Sequence, residues 1–201
     1  YKTSQRLGLK IVSAHIPYYM VQPDRLGELA DFSQAVGMKY AMVASLPKER
    51  FDSPTTLLGV AETFNQAASC LKTRGMRIGY HCHGGDFEPV DGQIPWEVLF
   101  DNTDAGVVMQ LDIGNARQGG ADPIAYLKKY PGRASLVHLK EFSAIKPPEA
   151  IGDGEVDWLE VMALCENLHH PEWYIIEQEE EAYDPFISAE KSLKYLRSVG
   201  Y

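Results

Sequence analysis

Residues 107–142 read VVMQLDIGNARQGGADPIAYLKKYPGRASLVHLKEF, and this stretch decides the fold. VVMQLDI (107–113) is short and apolar, as a buried strand should be. DPIAYLKKY (122–130) reads as a helix with proline near its start. ASLVHLKEF (134–142) returns to a strand. Strand, helix and strand in so short a span form the unit from which parallel sheets are built.

The same alternation runs outward in both directions. Toward the N-terminus, KIVSAHI (10–16), YAMVASL (40–46) and RIGYHCH (77–83) read as strands. Helices are expected over 23–36, stopped by Gly37, over 54–73, opened by Ser53-Pro54, and over 95–102. Toward the C-terminus come a helix over 157–168 with Asp157 as N-cap, a strand WYIIEQE (173–179) and a closing helix over 187–199. No G-x-G-x-x-G run follows a strand, so a dinucleotide-type open sheet loses its main support. The expectation is one domain over 1–201, a TIM-type (β/α) barrel. Six strands are legible where a full barrel has eight in about 250 residues, and RLGLKIV reads as a helix end running into a strand. The N-terminal βα unit or units are therefore expected to precede Tyr1.

Composition narrows the function classes. With 201 residues, 45% of them hydrophobic, the chain can bury one sizeable core. A net charge of −9 opposes general binding to nucleic acid, and no window has the length and apolarity of a membrane span. Three cysteines, an odd number in a chain of this size, do not read as a disulfide framework and leave the compartment open between cytoplasm and export.

Polar residues mark one end of the strands. His15, His81, Asp112, His138 and Glu177 each fall at or near the C-terminal end of an expected strand, where parallel βα architectures bind ligands. Singly, each has an ordinary structural explanation: a strand-end Asp caps the next helix, and a lone His is usually a hydrogen-bonded core residue. Five from five strands are harder to explain that way. Asp112, His138 and Glu177 combine two carboxylates with an imidazole, a donor set suited to Mn²⁺, Mg²⁺, Co²⁺ or Zn²⁺. By strand alternation Glu177 and Glu179 share a side with Gln178 opposite, and Glu177 is the preferred ligand because it directly follows the apolar run. His81 and His83 are likewise expected on one face, with Cys82 behind them. Lys140 follows His138 by two and should face the same way. Arg133, Gly119 and Gly120 read as structural. Trp96 and Trp158 read as packing residues, with a sugar-stacking role as the sharper alternative.

The runs IGYHCHGGDFEP, QLDIGNARQGGADPIAYLKKYPGRASLVHLKEF, IGDGEVDW and WYIIEQEE resemble the sugar phosphate isomerase/epimerase family, whose barrel is like that of xylose isomerase. The resemblance runs from about residue 8 to the C-terminus. It implies a divalent metal, manganese foremost, held by Asp112, His138 and Glu177. Many members place a Glu where this sequence has His81, so the fourth ligand is left among His81, His83, Glu88 and water. The implied reaction moves a proton next to a carbonyl through an enediolate, with Glu177 as one base and His81 or His83 as the second. Asn115, Lys140, His15 and His83 are the expected substrate-binding residues. The expected partner is a small carbohydrate, with neither nucleic acid nor membrane, and a homo-oligomer is allowed.

Two further readings share this sequence. The missing Glu leaves room for a hydro-lyase acting on a keto-sugar or keto-inositol. A barrel that binds sugar without catalysis is the other. A nuclease-type relative would need a larger metal cluster and a basic groove, and the negative charge supports neither.

Overall fold

A computed structural model describes every residue except Glu180 and Glu181. The acidic run after Glu179 thus lies partly outside the described residues. The chain forms two compact units, Tyr1–Cys82 with Glu88–Gln110, and His83–Phe87 with Leu111–Tyr201.

The first unit begins with a short helix α1 (Lys2–Arg6) that buries nothing. It continues with β1 (Ser13–Ile16), α2 (Leu26–Val36), β2 (Tyr40–Val43), α3 (Pro54–Lys72), β3 (Arg77–His81) and α4 (Pro95–Asp101). The Val108–Gln110 part of β4 (Val108–Asp112) completes it. Strands pair β1-β2-β3-β4 in parallel, with Ser13 opposite Tyr40, Tyr40 opposite Arg77 and His81 opposite Gln110. Gly37 does end α2, in the left-handed region at φ 70°, and the Met38 N–H returns to the Ser33 carbonyl at 2.8 Å. Ser53 and Thr56 form a reciprocal cap at the start of α3, with Pro54 at its first position.

Rings fill the core of this unit. Tyr18 meets Phe64 at 6.3 Å, Phe64 meets Tyr80 at 6.1 Å, Tyr80 meets Trp96 at 6.0 Å and Trp96 meets Phe100 at 4.4 Å. Phe64 and Trp96 are wholly buried. Removing a ring from such a core costs about 3–5 kcal/mol. Trp96 is therefore a packing residue, and its stacking alternative falls away.

The second unit takes up β4 at Leu111. It continues with α5 (Ile113–Gln118), α6 (Pro123–Lys129), β5 (Leu136–Leu139), α7 (Trp158–Leu168), β6 (Trp173–Ile176) and α8 (Pro185–Ser198). Leu111 pairs with Val137, Asp112 with His138, and His138 with Ile175, all in parallel. Aspartates open four of these helices. Asp112 accepts from the Asn115 N–H, Asp122 from Ile124, Asp157 from Glu160, and Asp184 from Phe186 and Ile187. Pro185 starts α8 two residues earlier than the apolar spacing suggested, because Asp184 supplies a cap.

Strands end sooner than their apolar runs. β3 stops at His81, since the His83 N–H turns to the Asp86 carboxylate at 2.6 Å and Gly84–Phe87 forms a 3-10 turn. Strand alternation therefore does not govern His83, and the expectation that it shares a face with His81 has no basis in the strand. The turn brings Gly84 against Gly119, where a Cβ on Gly119 would lie 2.4 Å from the Gly84 carbonyl oxygen. Gly84 of HGGD and Gly119 of RQGG serve this close approach.

Among the described residues no cysteine is in a disulfide. Cys70 is exposed and Cys165 is buried, with its thiol pushed up to about 12 by burial and by Glu166. No described helix is long and apolar enough to cross a membrane.

His169 ties the second unit together. Its Nδ1 accepts from the Ala134 N–H at 3.2 Å and its Nε2 donates to the Leu127 carbonyl at 3.0 Å. Burial holds its pKa below the ordinary imidazole value, against a smaller opposing effect of the Leu127 bond. A depressed folded-state value means stability that is present above about pH 6.5 and lost as pH falls through the folded value. His169→Gln can keep both bonds without titrating. The difference in unfolding midpoint between wild type and variant, measured by circular dichroism, should therefore move against the wild type as pH drops from 7 to 5. A pH-independent difference would remove His169 from the acid response.

Candidate metal centre

Strand register builds the site. Because Asp112 and His138 are direct parallel partners, the last residue of β4 stands beside the penultimate residue of β5. The Glu177 N–H donates to the Leu139 carbonyl at 3.0 Å, which fixes Glu177 one step past the end of β6. The three side chains converge. His138 Nδ1 is hydrogen-bonded to Glu177 Oε2 and lies 3.8 Å from Asp112 Oδ2. One ligand atom from each of the three residues lies within 4.8 Å of the others.

Asp112 has two jobs. Its Oδ1 accepts from the Asn115 N–H at 2.7 Å and caps α5, as the structural explanation of a strand-end Asp requires. Its Oδ2 is directed toward His138. Capping thus fixes the carboxylate's orientation without using the oxygen that faces the imidazole.

The second rank is Lys140, Asn115 and Glu179. Lys140 Nζ donates to Asn115 Oδ1 at 2.9 Å, bonds Glu179 and lies 3.8 Å from Glu177 Oε1. Alternation holds across WYIIEQE. Glu177 and Glu179 both face Lys140, while Gln178 turns away to donate to the Glu149 carbonyl at 2.5 Å. Glu179 is an ion-pair member rather than only a solvated acid.

Electrostatics describe a cluster short of positive charge. Asp112 is fully buried. Burial first, and the Glu177 charge second, push its carboxyl well above the usual range, against the Asn115 N–H and Lys140. For Lys140, burial acts downward, but the Glu179 bond and the charges of Asp112, Glu179 and Glu177 outweigh it and raise the pKa. Two oxygen donors and a nitrogen, gathered where a carboxylate is desolvated beside a like charge, fit a divalent cation of the hard or borderline class.

The first unit holds the other sequence-marked histidines. His15 Nε2 lies 3.1 Å from Gln110 Oε1, and the His15 and His81 rings are 4.5 Å apart. His81 is fully buried at the end of β3, whereas Glu88 and His83 are exposed. Gln110 escaped sequence reading although it sits two residues before Asp112 and is fully buried, a signal that strand alternation carries.

Glu141 was also missed, and it explains a motif. The carboxylate is buried and accepts from four donors. These are Phe142 N–H at 2.9 Å, Gly152 N–H at 2.7 Å, Val156 N–H at 3.2 Å and the Trp158 indole at 2.6 Å. IGDGEVDW (151–158) wraps this one side chain, and a Cβ at Gly154 would lie 2.6 Å from Glu141 Oε1. Trp158 is therefore a buried hydrogen-bonded residue, which removes its sugar-stacking alternative. An acid two residues past an apolar strand was the available signal.

The fold and motifs define a class. A model of the xylose isomerase-like TIM barrel matches residues 5–199, and the chain belongs to that family. Inosose dehydratase of Clostridium perfringens is 27% identical over 159 residues, 69% of this chain and 53% of that protein. The chain thus spans about half the length of that relative. A sugar phosphate isomerase/epimerase from Parabacteroides distasonis matches with a TM-score of 0.83 and 25% identity, over 97% of this chain and 74% of that one. The IolI protein, solved with a zinc atom, shares the fold at a TM-score of 0.62 and 14% identity, over 87% of this chain and 66% of that one.

Glu141→Ala leaves four donors without their acceptor. It should lower the unfolding free energy by about 3 kcal/mol or more in urea titrations, because stranded buried donors cost about 1–3 kcal/mol each. Glu141→Gln should cost less, and a loss below about 0.5 kcal/mol for the alanine variant would deny Glu141 its anchoring role.

Proposed function

We propose that this protein is a divalent-metal-dependent isomerase or epimerase acting on a small polyhydroxylated substrate. The observation that carries the reading is the convergence of Asp112, His138 and Glu177 at the C-terminal ends of their strands, with Lys140 and Asn115 beside them. Asp112 Oδ2, His138 Nδ1 and Glu177 would hold the ion. Manganese is the first choice, with magnesium, cobalt and zinc compatible with the same donors. Bound there, the metal supplies Lewis acidity that polarises a carbonyl and its neighbouring hydroxyl.

The chain's own groups do the rest. Glu177 removes the proton from the carbon next to the carbonyl. Lys140 and Asn115 hydrogen-bond hydroxyl oxygens and hold that carbon toward the carboxylate. Return of the proton from Glu177 to the neighbouring carbon, with a second proton passing between the two oxygens, isomerises the substrate, whereas epimerisation needs a second group, His81 or His83, to deliver a proton to the opposite face. His81 enters only through the family resemblance, as second base and fourth ligand.

The dehydratase reading has its own support in the relatives named inosose dehydratase. It uses the same first proton removal, after which the proton taken up by Glu177 passes to a neighbouring hydroxyl, which leaves as water as the carbon–carbon double bond forms.

Manganese titration by calorimetry tests the centre. The wild type should take up one ion, and Asp112→Ala should weaken uptake by about 100-fold or more. No uptake, or uptake indifferent to Asp112→Ala, would overturn the proposal. In deuterium oxide, the wild type should place solvent deuterium at the reacting carbon of a ketose, and Glu177→Gln should abolish this. A product lighter by one water would select the dehydratase reading.

A further inference from the structure

A cavity of about 490 Å³ opens in the first unit, beyond the C-terminal ends of β1 and β2. One wall is the 3-10 turn Tyr18–Val21 after β1, and the other is the 3-10 turn Lys48–Arg50 after β2. Its volume lies within the range of small-molecule sites, about 300–1,000 Å³. We propose that this cavity binds a ring carrying several hydroxyl groups, a monosaccharide unit or a cyclitol. The proposal goes beyond the metal-dependent reading and does not rest on it.

Uncommitted polar groups are the first argument. Tyr18 is more than nine-tenths buried, and its ring lies 6.3 Å from that of Phe64. Its hydroxyl bonds no described residue, yet it is not among the atoms closed off from solvent. The hydroxyl is therefore the part of Tyr18 that reaches the cavity. The Ser45 hydroxyl and the Arg50 guanidinium also lack a partner among the described residues, as does the Gln22 amide nitrogen.

The kind of group is the second. The Tyr18 and Ser45 hydroxyls and the Gln22 amide each donate and accept, Arg50 only donates, and Glu49 only accepts. A hydroxyl does both, so a ligand with several hydroxyls can use all of these groups. A bare apolar ring would displace their water and return no hydrogen bond. That loss is felt most at Tyr18, whose hydroxyl has little other access to water.

Shape is the third. Pro17, Tyr19 and Pro47 supply apolar lining, and the Tyr19 side chain is exposed. The C–H face of a sugar or cyclitol ring lies flat on such surfaces while its hydroxyls point outward from the rim. Both walls are held by hydrogen bonds of the protein itself. The Met20 N–H donates to the Pro17 carbonyl at 3.0 Å, the Arg50 N–H to the Pro47 carbonyl at 2.8 Å, and the Thr56 hydroxyl to the Arg50 carbonyl at 3.2 Å. A fixed pocket favours a rigid ring over an open chain, which loses more conformational freedom on binding.

Amide chemical shifts of the whole chain, recorded without added metal, test this with four probes: methyl β-D-glucopyranoside, myo-inositol, D-sorbitol and cyclohexanol. At least one of the ring polyols should shift the amides of residues 18–22 and 45–50 saturably. It should bind about tenfold or more tightly than sorbitol, an open-chain polyol, and than cyclohexanol, a ring with a single hydroxyl. Tyr18→Phe keeps the ring on Phe64 and removes only the hydroxyl, and it should weaken the polyol by about three- to tenfold. Tyr19→Ala, at an exposed position, should weaken it by about the same factor. No saturable shift at those residues with either ring polyol overturns the proposal. So does sorbitol or cyclohexanol binding as tightly, or polyol affinity indifferent to both variants. Polyol binding that meets these expectations in a chain that takes up no manganese supports this cavity's ligand and overturns the metal centre alone.

Discussion

Parallel register between β4 and β5 is the constraint on which the candidate site depends. It sets Asp112 opposite His138 and leaves no choice about which carboxylate meets which imidazole. A shift of β5 by one residue would turn His138 to the other face of the sheet, away from Asp112. The Glu177 N–H on the Leu139 carbonyl adds the third member by the same backbone logic. The chemistry is held by main-chain hydrogen bonds, and the side chains need only short reaches.

Around that frame the chain uses acids in three different ways. Asp122, Asp157 and Asp184 cap helices at the surface. Glu141 is buried and satisfied by four N–H donors, so its charge organises a loop. Asp112 joins both uses, capping α5 with one oxygen and presenting the other to His138. The distinction lies in what each carboxylate accepts from. Three backbone amides and the Trp158 indole N–H meet the charge of Glu141, whereas Asp112 faces a second carboxylate, Glu177, and burial with that charge pushes its carboxyl well above the usual range.

The loop after β5 is anchored by two carboxylates, Glu141 and Glu155. Glu141 fixes its far end through Gly152, Val156 and Trp158, and Glu155 fixes its near end through the Ala144 N–H and the Ser143 hydroxyl. A loop held at both ends keeps the Phe142 and Ala144 amides on these carboxylates.

Much of this was legible in the sequence. The strand and helix alternation followed from apolar periodicity, and Asp112, His138 and Glu177 were marked by the cost of placing polar groups at the ends of apolar strands. Gly37 and Asp157 announced a helix end and a helix start through local chemistry alone. What the sequence left undecided depended on distant residues. β3 ended two residues early because Asp86 captured the His83 amide. Trp158 became an anchor rather than a stacking surface because Glu141 lay within reach of its indole. Glu179 paired because Lys140 was directed at it. Periodicity and capping act within one turn or one strand and so can be read from neighbours. Hydrogen bonds from residue 141 to residues 152–158, or from 140 to 179, exist only once the strands and loops are assembled, and only the tertiary structure decided them.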